Sequence, residues 1–181
     1  MKIDWKNISL KDLAGYLSEE LRKEGIDLIL VGGACVTIYS KNRYQSYDLD
    51  FITYEDLRKV KKALSKFGFE YNSRYFIRQD CPWIIEFVSP PIAVGNEPIH
   101  HFSNVKTKMG TIKMLRPIDS IKDRLASFYH WDDRQGLKQA LDICREVQDI
   151  DFGELEKWSK AEGFTDKYQE FLNHYQQTSA L

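Results

Sequence analysis

The sequence predicts an α/β (α+β) fold, a mixed β-sheet flanked by helices and followed by a helical segment. Three observations carry this reading. Short apolar runs with strand periodicity alternate with amphipathic stretches over residues 25–115. Beyond Pro117 the apolar residues recur only at helical spacing. No Gly-, Ser- or Pro-rich linker separates the two stretches, so the helices are expected to pack on the sheet part. The expected division is an α/β core with an N-terminal helix over residues 1–116, then a C-terminal helical segment over 117–181.

The elements follow in order. Ser9 with Asp12 reads as a capping box. Leu10, Leu13, Leu17 and Leu21 mark one helical face, which Gly25 ends. Leu28–Val31 reads as a buried strand, broken by Gly32-Gly33, after which Ala34 to Ser40 can start a helix. Residues 48–52 alternate as a strand. Thr53 with Asp56 suggests a second capping box, ahead of Leu57, Val60, Leu64 and Phe67 at helical spacing up to Gly68. Residues 69–71, 75–77 and 83–88 are β-rich, and Pro90-Pro91 closes the series. Gly110 turns a hairpin into Thr111–Met114. Ile118, Ile121, Leu125, Phe128 and Tyr129 form one later helix face, and Leu137, Ala140, Leu141 and Cys144 the next. Asp151 with Glu154 caps a third helix, and Tyr168, Phe171, Leu172 and Tyr175 suggest a fourth.

Composition narrows the function. The 181 residues are 43% hydrophobic and 29% charged, which is ordinary globular usage. A net charge of −1 excludes a general basic coat for nucleic acid, though not a local groove. The N-terminus carries no signal-peptide core, and the longest apolar stretch, Leu28 to Tyr39, is too short to span a bilayer. Cys35, Cys81 and Cys144 form no CxxC pair and suggest no disulfide framework. A cytoplasmic protein without membrane contact is therefore expected. The histidines lack zinc-ligand spacing.

Asp48 and Asp50 carry the strongest chemical signal. On a strand they project from one face, roughly 6.6–7 Å apart at Cα. Like charges so placed repel, and a divalent cation would turn that cost into a site. Magnesium takes hard oxygen ligands, one or two carboxylates plus substrate phosphates. Ahead of the pair, Gly32 and Gly33 let backbone N–H groups approach an anion at a helix start. Glu86 is a lone acid in an apolar strand, costly to bury without a partner. If its strand lies beside the first, it completes a set of three carboxylates.

Val31-Gly32-Gly33, Asp48-Leu49-Asp50 and Ile85-Glu86-Phe87, in this order, resemble the signature of the nucleotidyltransferase superfamily, the polymerase-β-like fold. Ser46 matches a small hydroxyl residue often found two before the first aspartate, and Arg43 resembles an arginine that often precedes it. The resemblance covers roughly residues 25–115 and implies a nucleotidyltransferase-type sheet. It also implies two Mg2+ ions roughly 3.5–4 Å apart, held by Asp48, Asp50 and Glu86, with an NTP as substrate. Glu86 would ligate the catalytic ion or act as base on the acceptor hydroxyl. The whole chain looks most like small stand-alone prokaryotic members, including relatives of toxin components in toxin–antitoxin pairs. The stretch from Pro117 to Leu125, with His130 to Arg134 after it, looks like their helical segment. In that group a basic residue on this helix tends to face the triphosphate, which implies Lys122 or Arg124 here.

Plainer readings stand beside these. Arg43 can serve an ion pair with a nearby acid, and Lys122 and Arg124 can be solvated helix residues. The run Arg58-Lys59-Lys61-Lys62-Lys66 reads as the wet side of a helix, with RNA contact as the alternative. Tyr39, Tyr44 and Tyr47 can pack or stack on a base. The leading expectation is transfer of an NMP from an NTP to a hydroxyl on RNA, a protein or a small molecule, with release of pyrophosphate. The rivals are a non-catalytic nucleotidyltransferase-fold module that binds an antitoxin or partner chain, and a two-metal phosphohydrolase or nuclease.

Overall fold

A computed structural model describes residues 3–179 of the chain. The described chain divides into two compact units that interleave in sequence. The first takes residues 1–35, 45–91 and 101–115. The second takes 36–44, 92–100 and 116–181.

The first unit is built on a seven-stranded mixed sheet. Its strands are β1 (Ile29–Val31), β2 (Asp48–Ile52), β3 (Glu70–Asn72), β4 (Tyr75–Ile77), β5 (Ile84–Val88), β8 (Phe102–Lys106) and β9 (Thr111–Leu115). Their order is β3-β4-β5-β2-β1-β9-β8. β2 runs antiparallel to β1 and parallel to β5, and β1 runs parallel to β9. Leu30, Leu49, Phe51, Phe76, Ile85, Ile112 and Met114 bury one face of this sheet. α1 (Leu10–Lys23) and α3 (Leu57–Ser65) supply Leu13, Leu17, Leu21, Val60 and Leu64 to the same core. Ser9 caps α1 by accepting from the Asp12 amide at 3.1 Å, as its spacing predicts. At α3 the cap differs from expectation. Asp56 is itself the N-cap, accepting from the Arg58 amide at 2.7 Å, while Thr53 accepts from the Glu55 amide in the preceding turn. The helix opens at Leu57, so Asp56 is the N-cap itself and not the third helical residue of a box begun by Thr53.

α2 (Gly32–Tyr39) starts in the first unit and ends in the second. Its short apolar sequence is buried at Ala34, Cys35 and Val36, as befits a helix without a polar face.

The second unit contains a small hairpin, β6 (Ala93–Val94) with β7 (Glu97–Pro98), and four helices. These are α4 (Pro117–Trp131), α5 (Arg134–Glu146), α6 (Phe152–Ala161) and α7 (Thr165–Ser179). Pro117 opens α4, and Asp133 and Asp151 cap α5 and α6. Tyr129 stacks on Trp158 and Phe164 and shares a 2.8 Å hydrogen bond with the Ser159 hydroxyl. Among the described residues, no helix is long and apolar enough to cross a membrane.

Candidate active site

Period-two alternation decides which face of the sheet can do chemistry. Leu49 and Phe51 are fully buried on the helix-covered face of β2, so Asp48 and Asp50 project from the other. Asp50 pairs with Val31 on β1 and with Glu86 on β5. Register partners share a face, so Glu86 stands beside Asp50 on the face opposite the core. Asp48 lies one step along, opposite Ile84. The expectation that β5 flanks β2 thus holds, and the three acids share one surface.

Two local devices fix the aspartates. Ser46 is buried and its Oγ donates to Asp48 Oδ1 at 2.7 Å. Gly32 follows β1 with φ +66°, in the left-handed region. A β-carbon there would stand 2.4 Å from Asp50 Oδ2, so only glycine lets this carboxylate lie against the backbone at the start of α2. Gly33 forms the first turn of that helix with it.

Glu86 is already engaged. Arg74 Nε lies 3.1 Å from Glu86 Oε1, and a second guanidinium nitrogen donates to Oε2 at 3.4 Å. Arg74 sits in the two-residue turn between β3 and β4, which brings its guanidinium carbon 4.8 Å from the centre of the Tyr75 ring. Its hydrogen bond with Tyr75 raises its pKa, and Glu86 and Asp50 add to the effect. Sequence patterning had given no sign of Arg74. Its partner is twelve residues away and is reached only when β4 zips onto β5, pairing Tyr75 with Glu86.

Among the described residues, no group of three His, Cys, Asp or Glu side chains stands close enough to hold a metal ion as a set. Glu86 faces Arg74 instead. The donor chemistry nonetheless fits magnesium. Asp48 and Asp50 offer hard carboxylate oxygens on one face, beside a helix start that favours phosphate.

The basic candidates lie in the second unit. Arg43 Nε is 2.6 Å from Glu146 Oε1, and Lys41 reaches the other oxygen at 3.0 Å, so the plainer ion-pair reading describes Arg43. Lys122 is not a solvated helix residue. It is 1% exposed, and its Nζ donates at 2.8 Å to both Glu97 and Glu154. Arg124 is bound to Asp123 and to Gln139 Oε1. In the first unit four residues of the basic run at α3 are partnered too. Arg58 meets Asp56, Lys59 meets Glu55, Lys66 meets Glu24, and Lys61 sits over the Tyr71 ring. Tyr47 is 80% exposed, on the rim and not in a core.

The seven-stranded mixed sheet and the helices make a nucleotidyltransferase-type fold, on their likeness to solved structures. An antigenic nucleotidyltransferase-like protein from Paracoccidioides brasiliensis aligns over 93% of this chain and 88% of its own, with TM-score 0.60 and 16% identity. The antibiotic-resistance factor ANT(2'')-Ia, in a solution structure described as revealing substrate-regulated conformation dynamics, aligns over 93% and 97%, with TM-score 0.53 and 12% identity. No protein-family model and no curated protein sequence matches the chain.

Proposed function

We propose that this chain is a magnesium-dependent nucleotidyltransferase, moving an NMP from an NTP to a hydroxyl and releasing pyrophosphate. The observation that carries this reading is the row of acids on one sheet face, Asp48 and Asp50 on β2 with Glu86 alongside on β5, next to the glycine turn into α2. The first turn of α2 receives the phosphate, since a helix N-terminus presents backbone N–H groups and a positive dipole end to an anion. Asp48 and Asp50 would hold the metal, with Asp48 oriented by Ser46. A magnesium ion bound there would supply charge neutralisation for the triphosphate and acidify the attacking hydroxyl. Glu86, once released from Arg74, joins the set or accepts the acceptor's proton. The acceptor oxygen bonds to the α-phosphorus, the bond to the bridging oxygen breaks, and pyrophosphate leaves with that electron pair. The hydroxyl acceptor is RNA, a protein or a small molecule.

Calorimetric titration of each NTP, with and without magnesium, tests the site. Wild type is expected to bind at least one NTP only when magnesium is present. Asp48→Asn and Asp50→Asn are expected to lose that binding while melting at or above the wild-type temperature without metal, because like-charge repulsion is relieved. Full activity in Asp50→Asn would sink the mechanism. With labelled nucleotide, release of pyrophosphate and not free phosphate separates transfer from hydrolysis.

A further inference from the structure

We propose that Arg74 is a dual-position residue: it holds the carboxylate site closed to metal by pairing with Glu86, and it moves onto the nucleotide's phosphates when metal and NTP bind. This deepens the nucleotidyltransferase reading and rests on it.

The argument starts from the turn. β3 and β4 are joined by Ser73 and Arg74 alone, with Ser73 held at φ +57°. So short a turn gives Arg74 little choice of direction. β4 is also zipped to β5, with Tyr75 opposite Glu86. The turn therefore hangs a guanidinium beside the acid row, against the face of Tyr75. There it makes two contacts with Glu86, at 3.1 and 3.4 Å. The Arg74 side chain is 65% exposed while that of Glu86 is 15% exposed. The acid is fixed in the site, and the arginine is a wet arm reaching in from the rim.

One carboxylate cannot serve a guanidinium and a metal ion fully at once. Arg74 already supplies positive charge to the row, so a metal ion that claims Glu86 must take it from Arg74. The released guanidinium is planar, permanently charged and suited to bidentate phosphate contact. It remains tethered at the rim where an NTP on Asp48 and Asp50 would lie. Arg74 should therefore oppose free metal and favour metal with nucleotide.

These opposite signs are the test. Magnesium and magnesium–NTP affinities are measured calorimetrically on the full chain for wild type, Arg74→Ala, Glu86→Gln and the double variant. Arg74→Ala is expected to bind free magnesium about two- to fivefold more tightly, the range an exposed ion pair can withhold. It is expected to bind magnesium–NTP about tenfold more weakly, for loss of a charge-assisted contact. In the Glu86→Gln background, Arg74→Ala should leave free-magnesium affinity unchanged, because the pair is already broken. A merely structural arginine would shift both affinities the same way or neither, and either result overturns the proposal. Wild type binding neither magnesium nor any NTP would overturn the functional reading and this inference together. Opposite shifts in Arg74→Ala, with binding lost in Asp50→Asn, support both.

Discussion

At Gly32 the backbone and the Asp50 carboxylate share one small volume. Any β-carbon there would both strain a left-handed φ and push Asp50 Oδ2 away. Gly32→Ala should cost about 1–3 kcal/mol in urea denaturation and abolish magnesium-dependent NTP binding by calorimetry. Lys122 presents the opposite case, a charge held inside. Burial works against its ammonium, and the bonds to Glu154 and Glu97 more than offset it, so its pKa is raised. The stabilisation is complete below the ordinary lysine value of 10.5 and is lost as pH rises through the raised value. Lys122→Met should lose about 1–3 kcal/mol at pH 7, since it leaves two carboxylates side by side. On the alkaline side the gap to wild type should narrow only as pH rises through the raised lysine value, as measured by denaturation across pH. Asp48, Asp50 and Glu86 were legible in the sequence because acids inside apolar strands are conspicuous. Arg74 was not, because an exposed arginine in a turn looks like any other until the hairpin is paired. The burial of Lys122 was not legible, against the solvated alternative, because both its acids, Glu97 and Glu154, come from distant segments.

At the scale of elements, the site exists because β2 is two-faced. Its odd-numbered residues, Leu49 and Phe51, anchor it in the core under α1 and α3, and its even-numbered acids are thereby presented outward. Leu49→Ala, at a fully buried position, should destabilise by about 2–4 kcal/mol, measured by urea denaturation followed by circular dichroism. Most elements were readable from periodicity and caps, and the Gly110 hairpin is closed by a 2.9 Å bond from the Thr107 amide to the Gly110 carbonyl. The β6–β7 hairpin was not readable. Strands of two residues have no periodicity to show, and Pro98 argues against a strand. The cap of α3 was misplaced for a related reason. Thr53 and Asp56 have the spacing of a capping box, but the first helical residue decides the cap, and that residue is Leu57.

For the whole molecule, the interleaving of the two units sets what can be cut. Residues 36–44 and 92–100 belong to the second unit although the first surrounds them in sequence. They carry buried Val36, Thr37, Ser40, Ile92, Val94 and Ile99. A fragment ending at Leu115 retains both segments without the helices of their own unit. It should therefore melt at lower temperature than the intact chain and self-associate, as followed by circular dichroism and size-exclusion chromatography.

The parallel pairing of Leu30 with Met114 has a consequence in time. β1 lies between β2 and β9, and its partner on one side arrives about eighty residues after it. A ribosome needs on the order of ten seconds to cover that distance. Through that interval the nascent chain can complete the β1–β2 antiparallel pair but leaves the other edge of β1 open, a row of unpaired amides and carbonyls beside apolar side chains. Closing the sheet must wait for the last strand to emerge, so this chain is most exposed to wrong partners during its own synthesis.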